Sequence, residues 1–96
     1  MITVENPVEA VLRDVLRERG RQQLLLKSGK IDCDVSDPAT EIDKKISVVT
    51  EEFCEFIMEL RAIRDGKLRY GAAATEGKQL AAVTVAIVEG LQEVGG

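Results

Sequence analysis

A chain of 96 residues holds one domain, because chains divide into several only at a few hundred residues. With 45% apolar and 31% charged residues it is too apolar for a disordered tail and too charged for a membrane protein. A net charge of -4, two Phe, one Tyr and no Trp weigh against a nucleic-acid polymer as partner, and the absence of His excludes Ser-His-Asp and Cys-His catalysis and His-ligated zinc.

The stretch Met1 to Pro7 has neither a basic start nor an apolar run, and Cys33 and Cys54 form no CxxC pair. Both cysteines therefore read as free thiols of a cytoplasmic protein. Asn6-Pro7-Val8-Glu9 sets a capping side chain before a proline, which starts a helix. Val8, Val11, Leu12, Val15 and Leu16 recur at helical spacing, and Gly29 follows Leu24-Leu25-Leu26-Lys27 as a stop, so the first helix covers about residues 7–28. Gly20 costs about 1 kcal/mol relative to Ala in a helix interior, which leaves a bend between Arg19 and Arg21 open.

A loop rich in Gly, Asp and Ser follows, and Ser36-Asp37-Pro38 repeats the pattern of cap and proline that begins a second helix. Ile42, Ile46, Val49, Phe53, Phe56, Ile57, Leu60 and Ile63 share one face, and Gly66 ends the run. A third helix is expected over residues 75–93, with Leu80, Val83, Ile87 and Leu91 in one stripe and an apolar surface nearly all round. Its apolar run, Leu80 to Val88 broken by Thr84, is half of the ~20 residues a membrane crossing needs. Three helices cannot enclose one of their own, so the expected fold is an all-α helical bundle, one domain over residues 1–96, completed by homodimer or tetramer formation.

The second helix carries Glu52, Glu55 and Glu59 at i, i+3 and i+7, a stripe of like charges that borders the apolar face. No Lys or Arg occurs between Lys45 and Arg61 to neutralise it. Glu76 and Gln79 form a second i, i+3 pair on the third helix, and antiparallel packing would set the two pairs face to face. Hard oxygen ligands between helices suit Mg²⁺ or Mn²⁺, and with them phosphate chemistry.

The two tracts Lys45-Ile-Ser-Val-Val-Thr-Glu-Glu-Phe-Cys-Glu-Phe56 and Glu76-Gly-Lys-Gln-Leu-Ala-Ala-Val-Thr-Val-Ala-Ile-Val-Glu-Gly-Leu91 resemble the two halves of the MazG-like all-α nucleoside triphosphate pyrophosphohydrolases. The family pattern is ExxE, a spacer, then ExxD; here Glu52-Phe-Cys-Glu55 is followed by twenty residues and Glu76-Gly-Lys-Gln79. Gln79 stands where most of the family has Asp, and Cys54 where a small residue is usual. The resemblance implies cleavage of a nucleoside triphosphate to the monophosphate and pyrophosphate by a metal-activated water. It places Mg²⁺ or Mn²⁺ on Glu52, Glu55, Glu76 and Gln79, with Glu51 and Glu52 serving catalysis and Lys45, Arg21 and Phe56 contacting substrate. The alternative is a catalytically impaired helical oligomer that keeps the fold as a nucleotide-binding or protein-interaction module.

Overall fold

Helix ends in this chain are written by side chains that can satisfy the orphan groups of a helix terminus. The computed structural model describes residues 6–95, which form α1 (Pro7–Lys27), α2 (Ile42–Arg64) and α3 (Tyr70–Gly95). Residues 1–5, most of the stretch searched for a leader, lie outside the described residues. Asn6 caps α1 by accepting the Val8 N–H at 2.8 Å, and Pro7 fills the position where a missing N–H costs nothing. α1 and α2 both end in a residue with positive φ, Gly29 at 74° and Gly66 at 92°. Lys30 N–H returns to the Leu25 carbonyl and Lys67 N–H to the Ala62 carbonyl, so the last carbonyls of each helix are satisfied. Gly20 lies inside a continuous α1.

Two helix starts differ from the sequence expectation. α2 begins at Ile42 and not at Pro38, because Asp34 and Asp37 bond the local backbone and hold residues 34–40 in turns. Asp34 Oδ1 accepts from the Ser36 N–H at 3.0 Å and its hydroxyl at 2.6 Å, and Asp37 Oδ1 accepts the Ala39 N–H at 2.8 Å. α3 begins at Tyr70 and not at Thr75, since Ala72-Ala73-Ala74 has high helix propensity but leaves no hydrophobic period to read.

α3 packs against both other helices, which do not pack against each other. Asp14 meets Lys78 and Arg19 meets Glu89, so α1 runs alongside α3 in the same direction. Lys45 meets Gly90 and Phe56 meets Gly77, so α2 runs opposite to α3. The apolar helix thus takes the centre, with Ala73, Ala82, Ala86 and Gly90 buried along it. Gly90 permits close approach of the connecting loop: a Cβ there would stand 2.8 Å from the Ser36 carbonyl oxygen. That loop drives Val35 into the main apolar cluster, against Val83 and Ala86, with Cys33, Val48, Val49 and Ile87 around it.

The core is small, and half of the face expected to form it on α2 points elsewhere. Ile42, Ile46, Phe53 and Leu60 are exposed, while Lys45, Glu52 and Glu55 turn toward α3. Val8, Leu12 and Leu16 of α1 and Val85, Val88 and Leu91 of α3 are exposed as well. Val83, expected to face a second copy, is buried within the protomer, and Leu80 and Ile87 are half-buried.

Candidate functional site

Antiparallel packing of α2 on α3 brings three carboxylates together. Glu52 and Glu55 share one face of α2, Glu76 comes from α3, and one oxygen of each lies within 4.8 Å of the others. All three are half-buried, and Glu52 Oε2 and Glu76 Oε2 are inaccessible to water without a hydrogen-bond partner. Burial raises the Glu52 carboxyl above the ordinary carboxylate range, helped by Glu55, Glu76, Glu51 and Glu18. Glu76 is raised in the same sense, by burial first and then by the adjoining Glu55 and the more distant Glu59. A cluster of this kind is held together against its own repulsion by the packing of the two helices.

Glu59 continues the stripe in sequence but leaves the cluster in space. Arg69, in the segment joining α2 to α3, grips it with two hydrogen bonds, at 2.5 and 2.8 Å, and holds its carboxyl below the usual range. Lys78, inside the second motif, is drawn the other way, to Asp14 of α1 at 2.8 Å. Arg69 and Lys78 are thus committed to other partners, and among the described residues no salt bridge reaches the three clustered glutamates.

Glu52 and Gln79 border a cleft of about 590 Å³ between α1, the loop after it and the α2–α3 pair. Its apolar lining comes from Leu25, Leu26, Val35, Val48, Val83 and Ala86, and its polar lining includes Arg21, Gln22, Lys30 and Asp34. This size and mixture suit a small organic ligand. Arg21 is bonded to Glu18 at 2.8 Å, which pushes the guanidinium further into its charged form. Arg19 reaches across to Glu89 of α3 with two parallel hydrogen bonds, at 3.2 and 3.0 Å, and closes the cleft behind.

Of the residues expected to serve the site, Glu52, Glu55 and Glu76 converge, and Arg21 and Gln79 line the cleft with Glu52. Glu51 is exposed on α2 and acts on Glu52 through space. Lys45 does not line the cleft: it is buried between α2 and α3, beside Gly90. Phe56 packs against Gly77 and also lies outside the cleft lining. Glu18, Gln22, Lys30 and Asp34 were not expected there. Gln22 and Lys30 lie in the tracts Arg19-Gly-Arg-Gln22 and Gly29-Lys-Ile31, which also resemble the family, but no role attached to them; for Glu18 and Asp34 the sequence signal is polarity on and after a helix whose partner face cannot be read from spacing.

Cys33 and Cys54 are free, and no described helix is long and apolar enough to cross a membrane. Searches against protein-family models, characterised proteins and solved structures give no match.

Proposed function

We propose that the chain is a divalent-cation-dependent nucleoside triphosphate pyrophosphohydrolase of the MazG-like type. The observation that carries the reading is the convergence of Glu52, Glu55 and Glu76, two of them with a buried unpaired oxygen, with Glu52 at the wall of a cleft that also holds Arg21 and Lys30. Carboxylates forced together without a cation of their own fit Mg²⁺ or Mn²⁺, which favour hard anionic oxygens. A bound ion would supply neutralising charge for the triphosphate and make water more acidic.

The chain's own groups then divide the work. Glu52, Glu55 and Glu76 would hold the ion, with Gln79 offering a neutral amide oxygen at the cleft wall. Arg21 and Lys30 meet phosphate oxygens, and the exposed Glu51 accepts a proton from water near Glu52. The aliphatic wall takes the nucleoside. Ile42, Ile46, Phe53 and Leu60, left uncovered on α2, favour self-association as a homodimer or tetramer.

Gln79 in place of a carboxylate favours a second reading, a non-catalytic member that binds nucleotide. The test is pyrophosphate release from a panel of nucleoside triphosphates with and without Mg²⁺, repeated with Gln79→Asp. Metal-dependent release supports the enzyme. Metal and nucleotide binding without release, gained on Gln79→Asp, supports the impaired form; no binding of either ligand refutes both.

A further inference from the structure

α2 carries an apolar seam that α3 covers only in part. From Ile46 to Ile63 apolar residues recur at alternating steps of three and four, the heptad spacing of a helix that pairs with another helix. Val49, Phe56 and Ile63 are half-buried, Phe56 against Gly77 of α3, whereas Ile46, Phe53 and Leu60 are 54%, 52% and 42% exposed. Glu52 and Val48, which border the cleft, stand about 100° and 140° round α2 from Phe53, so covering the exposed seam leaves the cleft open. The chain exposes 6999 Å², whereas a compact monomer of this mass exposes about 5,400 Å². The excess is about twice the ~800 Å² that each partner covers in a stable interface.

We infer that the exposed seam of α2 pairs with α2 of a second copy, antiparallel about a twofold axis at Phe53. The inference rests on the self-association proposed above and fixes its face and direction; it holds or fails separately from the nucleotide reading.

Charge sets the direction. The flank of the seam away from α3 carries Asp43 at the start of α2 and Arg61 and Arg64 at its end, with the uncharged Ser47, Thr50, Cys54 and Ile57 between them. Lys44 lies on the opposite side of α2, about 180° from Phe53. All three flanking charges are exposed; among the described residues Asp43 and Arg61 have no ion pair, and Arg64 has the adjoining exposed Asp65 at 3.5 Å. Asp43 stands ten residues before Phe53 and Arg64 eleven after it. Antiparallel pairing on an axis at Phe53 therefore brings Asp43 of each copy level with Arg64 of the other, within about 1.5 Å along the helix. Ile46 and Leu60, seven residues to either side, meet across the same axis, and Phe53 meets itself. Parallel pairing would instead set Asp43 against Asp43 and arginine against arginine. A face that is apolar at its centre and oppositely charged at its two ends is complementary to itself when turned end for end, which selects a second copy as its occupant and closes the assembly of this face at two.

The test is sedimentation equilibrium of the full chain at micromolar concentration over a range of salt, with circular dichroism to show that each variant is folded. The expected result is a dimer that weakens as salt rises, since the end pairs are exposed. Asp43→Arg alone, or Arg61→Asp with Arg64→Asp, should weaken dimerisation at least about fivefold, because the twofold axis repeats each pair and reversal turns a modest attraction into repulsion. The three reversals in one chain should restore it. Phe53→Glu, at an exposed position outside the protomer's core, sets two like charges on the axis and should leave a monomer of unchanged helix content. A dimer that survives Phe53→Glu overturns the face, and folded single reversals that dimerise like the wild type overturn the antiparallel direction; either result leaves self-association standing. A monomer throughout the range overturns the inference together with the self-association. Pyrophosphate release from the same samples decides the nucleotide reading independently.

Discussion

Glu52→Gln should stabilise the metal-free protein and destabilise it relative to the wild type once Mg²⁺ is present. Two unit negative charges 4.8 Å apart repel by about 0.9 kcal/mol at the dielectric constant of water and by about 3.5 kcal/mol at a value of ~20. Glu52 faces two such partners, Glu55 and Glu76. Because all three groups still reach solvent in part, the lower figure applies to each pair, and neutralising Glu52 returns about 1–2 kcal/mol. In a domain of this size that raises the melting temperature by about 5–10 °C in chelator near neutral pH. Saturating metal acts in the opposite sense: a ligand at a hundred times its Kd adds about 2.7 kcal/mol to the native state, and only the wild type keeps the full site. Thermal melts of both proteins in chelator and in Mg²⁺ should therefore cross in rank. A variant less stable than wild type in chelator would refute the repulsion argument, and an equal response to Mg²⁺ would refute the metal assignment.

The pH dependence follows with its sign. Glu52 and Glu76 have carboxyls raised in the folded state, so their contribution to stability is present below the ordinary carboxylate range and is lost as pH rises through their folded values. Asp14 and Glu59, lowered by Lys78 and Arg69, contribute in the opposite sense, present above the ordinary range and lost as pH falls. Urea midpoints in chelator from weakly acidic to neutral pH should show wild type losing stability relative to Glu52→Gln; a constant difference would refute the assignment. Arg19→Ala removes the bidentate tie from α1 to α3 and should cost about 1.5–3 kcal/mol by denaturant unfolding, the worth of a charge-assisted hydrogen bond, with Arg19→Lys recovering only part. Gly90→Ala sets a methyl group 2.8 Å from the Ser36 carbonyl oxygen and should cost about 1–3 kcal/mol by the same measurement, a neutral result showing that the loop yields.

Local chemistry was enough to read the three helices, both glycine stops and the first cap, because each depends on residues within one or two turns of itself. The ExxE and ExxQ pairs were legible for the same reason, since helical spacing alone puts Glu52 with Glu55 and Glu76 with Gln79 on common faces. Local chemistry also misled at Ser36-Asp37-Pro38, where Asp34 and Asp37 satisfy the same backbone groups through turns that spacing cannot distinguish from a cap. Only the tertiary structure decided that the glutamate stripe faces α3 and that Phe53, Ile46 and Ile42 face outward. Periodicity gives the relative angles of residues round a helix but not the direction in which its neighbour lies. Arg69 and Lys78 make the same point with charge: both were visible as cations, yet which carboxylate each neutralises depended on how the helices pack. Their engagement with Glu59 and Asp14, and not with Glu52 or Glu76, is what leaves the central cluster repulsive. The cleft was the least legible feature, because its walls come from α1, its following loop, α2 and α3. Val35 reaches Val83 only after the chain has turned twice, and no spacing in the sequence encodes that distance.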